Sequence, residues 1–138
     1  MAIFAKVIIE NKDKGARGEF IALLNSGSYL KPLTPCINKI QLLYIWVPKK
    51  PATQKLGADL HQYRKGKYVD TKNTYRICLL DQDNNPITCV DNCLLISEEE
   101  LDTVIIPYEL LKHMKIILDT EDDSWIHKTT NRKIKSIK

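Results

Sequence analysis

At 138 residues, 43% of them hydrophobic, the chain suits one domain with a modest core and much exposed surface. Its net charge of +4 is localised: Lys128, Arg132, Lys133, Lys135 and Lys138 put five positive charges and no acid into residues 128–138, leaving residues 1–127 at −1. No apolar run approaches the roughly 18–20 residues of a membrane span, and no basic region followed by an apolar stretch opens the chain. We therefore expect a cytoplasmic protein with no membrane partner. Residues 128–138 read as a flexible basic tail behind a single domain of residues 1–127. Such a tail can bind nucleic acid through counterion release, although it lacks the interleaved aromatics of a stacking platform.

Short β segments dominate the chain. Ile3, Ala5, Val7 and Ile9 alternate with Phe4, Lys6, Ile8 and Glu10, the period of a half-buried strand. Asn11–Gly18 is turn chemistry, and Glu19–Leu24 returns as the second strand of a hairpin. Phe20–Leu24 is apolar on both faces, so this strand should run through the middle of the fold and stop abruptly at Asn25-Ser26-Gly27-Ser28. Ile37, Ile40 and Tyr44 fit a short helix, whereas Leu42–Val47 fits a strand equally well. Pro48 and Pro51, with lysines between them, mark a loop. Leu56–Tyr63, the turn Arg64-Lys65-Gly66-Lys67 and Tyr68–Asp70 predict a projecting polar hairpin with little to bury. Thr74–Leu80 alternates again, and Asp81–Pro86 is a strong turn into a long β run, Ile87–Ile96. Thr103–Ile106 is a buried strand by composition. Pro107 suits the first position of a helix over Tyr108–Met114. Lys115–Asp119 and Trp125–His127 then form a closing hairpin.

Most catalytic constellations are missing. The chain has no Gly-rich phosphate loop, no G-x-S-x-G elbow and no H-E-x-x-H. Cys36, Cys78, Cys89 and Cys93 lack the paired knuckles of a zinc site, so buried free thiols are expected, with no metal and no cofactor. His61, His113 and His127 are scattered, and the last two read as surface residues. Glu98–Glu100 with Asp102, and Glu121–Asp123, read as solvated acidic turns.

What remains is Ala22-Leu23-Leu24-Asn25-Ser26-Gly27-Ser28. Together with the Val104–Ile106 strand, the Leu110–Met114 helix, the Lys115–Asp119 strand and Trp125, it resembles the retropepsins, the one-domain aspartic proteases, and most of all their archaeal, non-viral branch. The turn and the C-terminal unit carry the likeness, whereas residues 30–75 match loosely. The resemblance implies a mostly all-β closed barrel with one short C-terminal helix, active as a homodimer on extended peptide or unfolded protein. Hydrolysis by this route needs two carboxylates sharing a proton over one water. Each chain supplies one turn, so two turns must meet at a two-fold axis. By the resemblance, Asn25 stands at the catalytic aspartate's position, Ser26 bonds across to the partner turn, and Gly27 permits close backbone approach. Ser28 would border the carboxyl group, and Arg64, Lys65 and Gly66 would belong to a flap over the substrate.

Asn25 departs from the family pattern, because an amide cannot deprotonate water. The chain as written should therefore be inactive as an aspartic endopeptidase. Asn and Asp are nearly the same shape, so this is the pattern of an engineered, inactivated variant, the reading favoured on the neighbouring residues. It is also that of a natural non-catalytic binding module. Ile105-Ile106-Pro107 is a second departure, where many viral members carry glycine after the two apolar residues. A small β-barrel nucleic-acid binder using residues 128–138 is the third reading.

Overall fold

The alternation at the start of the chain builds the first strand, β1 (Phe4–Asn11), whose Ala5, Val7, Ile9 and Asn11 face inward. This computed structural model describes residues 2–25, 45–97 and 103–138. The choice between helix and strand around Ile37, Ile40 and Tyr44, and the acidic run Glu98–Glu100 with Asp102, lie outside them. β1 turns back on β2 (Arg17–Asn25) in antiparallel register, with Val7 opposite Phe20. Asn11 organises that turn: its Oδ1 accepts from the amides of Asp13 and Lys14, and its Nδ2 donates to the Leu56 carbonyl.

Further along, β3 (Ile45–Pro48) leads into a short helix, α1 (Lys49–Gln54), and β4 (His61–Arg64) makes a hairpin with β5 (Lys67–Leu80). β6 (Pro86–Ser97) runs parallel to β3, and β7 (Val104–Pro107) runs parallel to β2. These seven strands form one sheet in the order β1-β2-β7-β3-β6-β5-β4, and β1 also pairs with β5. After a second helix, α2 (Tyr108–His113), a sheet of three strands holds β8 (Ile116–Asp119), β9 (Ser124–His127) and β10 (Arg132–Lys135). β2 has neighbours on both edges, as its apolar sequence requires, although Ile21 stays 38% exposed. The core draws on both sheets, with Ile9, Ile77, Leu94, Ile106, Leu110 and Trp125 fully enclosed. Among the described residues no helix is long and apolar enough to cross a membrane.

Several expectations need correction. The single closed barrel with one helix becomes a mostly-β architecture of two sheets and two short helices. The added helix, α1, occupies the presumed proline loop. Pro51 lies in its first turn, where a missing N–H breaks no helical bond. α2 begins at Tyr108 with Pro107 as its extended N-cap, at φ −73° and ψ 157°, so the proline sits just outside the first helical position. The polar hairpin does bury something: Leu56 is fully enclosed, and its first strand starts only at His61.

The presumed flexible tail is also ordered. Ile134 is buried opposite Trp125, and β10 pairs with β9 along its whole length. One apolar side chain in an alternating basic segment suffices, because its charged neighbours find acids. Arg132 reaches Asp81 at 3.0 Å, and Lys133 bonds both Asp119 and Asp122. Beyond the strand, the Ile137 amide donates to the Phe4 carbonyl. His127, expected at the surface, is buried with its Nδ1 2.8 Å from Thr130 Oγ1. His113 is exposed.

The free-thiol expectation fails at two positions, since Cys78 and Cys89 form a disulfide, leaving Cys93 free among the described residues. The two lie directly opposite each other on β5 and β6, a geometry invisible to a search for metal knuckles.

The β4–β5 hairpin is anchored by a buried acid, Asp70, where the register of β5 against β6 shifts. Its carboxylate accepts from the amides of Asp59, Lys72 and Asn73, from Asn73 Nδ2, and from Tyr75 Oη at 2.6 Å. Asn73 Nδ2 also reaches Asp59 Oδ2, which takes Lys14 Nζ at 2.9 Å. Burial alone would raise the Asp70 pKa, but the Tyr75 and Asn73 hydrogen bonds and the backbone amides outweigh it and hold the group below its ordinary value. Burial, then the Asp70 bond, raises Tyr75.

Two outcomes follow from this packing. A folded pKa depressed below the unfolded value of about 3.9 makes Asp70 stabilising above about pH 4, an effect lost as pH falls through the folded value. Tyr75→Phe should cost about 1–2 kcal/mol in urea unfolding at neutral pH, and the gap to the parent should narrow below about pH 4. An equal gap at both pH values would show that Asp70 does not hold the hairpin as a charged group. Replacing both Cys78 and Cys89 by Ala should cost about 2–3 kcal/mol under oxidising conditions, from the short loop they close. A reductant should destabilise the parent by a similar amount and leave the variant unchanged.

Candidate active-site turn

The last four residues of β2 pair in parallel with the whole of β7: Ala22 with Val104, Leu23 with Ile105, Leu24 with Ile106, and Asn25 with Pro107. Ala22, Leu24, Val104 and Ile106 are all buried, so the two strands advance side by side through the core and end together. On one side the chain leaves β2 at Asn25. On the other it enters α2, which packs Leu110 and Leu111 inward against the same pair. The site is therefore framed by apolar packing from residues about eighty positions apart, and its backbone position is set before any polar group is considered.

The expected site residues fall into two groups. Asn25 closes β2 beside Pro107, while Ser26, Gly27 and Ser28 lie outside the described residues. Arg64, Lys65 and Gly66 form the hairpin turn between β4 and β5, where Arg64 pairs with Lys67. Gly66 takes φ +74°, a left-handed conformation that glycine adopts without strain, and Lys65 is exposed. The two groups belong to different elements, and no described interaction joins them. Pro107, the second departure from the family pattern, both ends the parallel strand and caps α2.

Chemically, the described residues offer little besides this turn. The Asn25 amide can donate and accept hydrogen bonds but does not ionise at ordinary pH, so it cannot serve as the general base that takes a proton from water. Cys93 is held by its surroundings, with burial pushing its thiol up to about 11, so little nucleophilic thiolate forms near neutrality. No group of three or more His, Cys, Asp or Glu suited to a metal ion occurs among the described residues.

Two structural features go beyond the sequence reading. Asp70 falls in the predicted polar hairpin, yet an acid on an otherwise alternating strand, followed by Thr-Lys-Asn-Thr, signals an inward-facing polar anchor. Cys78 and Cys89 stand symmetrically about the Asp81–Pro86 turn, three residues out on each side. That symmetry is the signal for a cross-strand bridge in a hairpin.

Comparison with known proteins gives the fold and stops there. No family model matches the chain, and no curated protein does. Among solved structures, the chain is similar to the crystal structure of the retroviral protease-like domain of Ddi1 from Leishmania major, with a TM-score of 0.53 and 9% identity. The match covers 100% of this chain and 97% of that one. The chain has a retropepsin-like fold.

Proposed function

We propose that this chain is a homodimeric, peptide-binding protein on the aspartic endopeptidase scaffold, without hydrolytic activity because Asn25 stands where the acid would be. The observation that carries the reading is the parallel pairing that ends Asn25 beside Pro107 at the start of α2. It sits within a chain whose whole length matches a retroviral protease-like domain. In the proposed dimer two such turns face each other across a two-fold axis, completing a groove for an extended chain. The β4–β5 hairpin is the flap, its turn at Arg64-Lys65-Gly66. Peptide backbone would pair with it as an added strand.

With aspartates in place of both asparagines, the two carboxyls would lie too close to ionise together. One would stay protonated as general acid while its partner activated water. With two amides the groove can hold a peptide but not cut it. A binding module is thus the activity of the chain as it stands, whether Asn25 is native or introduced.

Asn25→Asp should raise cleavage of unfolded protein at mildly acidic pH by roughly 10²–10⁴-fold over the parent, and pepstatin should block it. Sedimentation should give twice the chain mass for both proteins. A monomer that stays inactive with Asp at position 25 would sink the protease-scaffold reading. A dimer that binds peptide yet stays inactive with Asp at 25 would leave a binding module only.

A further inference from the structure

The two halves of the Cys78–Cys89 disulfide meet solvent unequally. The bridge joins directly opposite residues of β5 and β6, yet Cys78 is only 8% exposed while Cys89 is an exposed residue. Strand order explains the difference. At Cys78, β5 is flanked on both sides, by Ile8 of β1 on one edge and by Cys89 of β6 on the other. At Cys89, β5 is the one paired neighbour of β6 among the described residues, because β3 joins β6 only from Leu94 to Ser97.

This asymmetry matters for thiol–disulfide exchange, whose rate depends on which sulfur an incoming thiolate can reach. The thiolate approaches in line with the sulfur–sulfur bond, from beyond the sulfur it attacks. Attack on Cys78 must come across β1, over half-buried Ile8. Attack on Cys89 comes from the far side of β6 and expels Cys78. Cys93, four residues further along β6, competes poorly, because burial keeps its thiol protonated near neutrality.

We propose that Cys89 is a reversible S-thiolation site for a low-molecular-weight thiol, with Cys78 as the resolving thiol. The incoming thiolate attacks Cys89 Sγ, and the Cys78–Cys89 bond breaks as the mixed disulfide forms. Cys78 Sγ leaves with the electron pair and takes a proton from water. In the reverse direction the Cys78 thiolate attacks Cys89 Sγ, expels the small thiol and restores the bridge. If a second small thiolate attacks the mixed disulfide instead, Cys78 and Cys89 end as two thiols and the small thiol as its own disulfide. The strand affected also carries the β4–β5 hairpin, since β5 runs from Lys67 to Leu80, so opening the bridge releases its fastened end. The inference is independent of peptide binding and does not rest on it.

The test exposes the whole oxidised 138-residue chain to reduced glutathione, quenches with acid and maps the adduct by peptide mass spectrometry. Mapping separates Cys89 from Cys36, Cys78 and Cys93. In the parent, the glutathione released from the bridge reaction should be found on Cys89 and not on Cys78. After free glutathione is removed at neutral pH, that adduct should disappear as the bridge re-forms. With oxidised glutathione as the probe, Cys78→Ser should gain a lasting adduct on Cys89 at least roughly tenfold faster than Cys89→Ser gains one on Cys78. The two single variants lack the same bridge, so matching melting temperatures check that they are compared in the same folded state. The parent measurement needs no substitution and decides the matter if either variant fails to fold. Adducts shared equally between Cys78 and Cys89, or bridge opening with no adduct on Cys89, would overturn the proposal. So would an adduct on Cys89 of the parent that persists once glutathione is gone, because Cys78 would then not be resolving it.

Discussion

The pairing of β2 with β7 is the constraint on which the rest of the architecture depends. It joins the N-terminal hairpin to the C-terminal unit through four consecutive registers. Each strand contributes buried side chains: Ala22 and Leu24 on one, Val104 and Ile106 on the other. Parallel strands cannot be joined by a tight turn, so the chain must travel through β3, β5 and β6 before returning. That journey is what encloses the core. It also fixes where Asn25 ends up, because a residue at the end of a buried strand cannot shift by one position without turning every side chain to the wrong face.

The β4–β5 hairpin depends on a different kind of interaction. It has few apolar groups of its own, and its base is held instead by the Asp70 carboxylate with its ring of donors. A buried carboxylate is tolerated only when its oxygens are satisfied, and here five donors reach it. The cross-strand disulfide lies further along the same strand, between Cys78 and Cys89. One end of β5 is thus fastened by covalent and apolar contacts. The other carries an exposed turn on a polar anchor, an arrangement suited to an arm that moves while its base stays put.

Charge follows the same logic of placement. Arg132 and Lys133 of β10 are drawn against Asp81, Asp119 and Asp122, and the strand forms the edge of a sheet.

The strands on alternating patterns, the Asn11–Gly18 turn and the α2 helix were all legible from residue order. Each depends on local periodicity and turn chemistry. Asn25 also determined by itself that the turn lacks a carboxylate, because no packing can give an amide the chemistry of an acid. Long-range geometry decided the rest. Pairing Asn25 with Pro107 and burying Ile134 against Trp125 bring together residues whose neighbourhood in space is unmarked in their local sequence, whereas the Cys78–Cys89 bridge and the buried Asp70 left only local traces, turn symmetry and an acid on an alternating strand. A segment such as Arg132–Lys135 looks solvated until a partner strand supplies backbone bonds and Asp81, Asp119 and Asp122 supply the acids. Sequence determined what each strand could bury, and the tertiary structure decided which strand it was buried against.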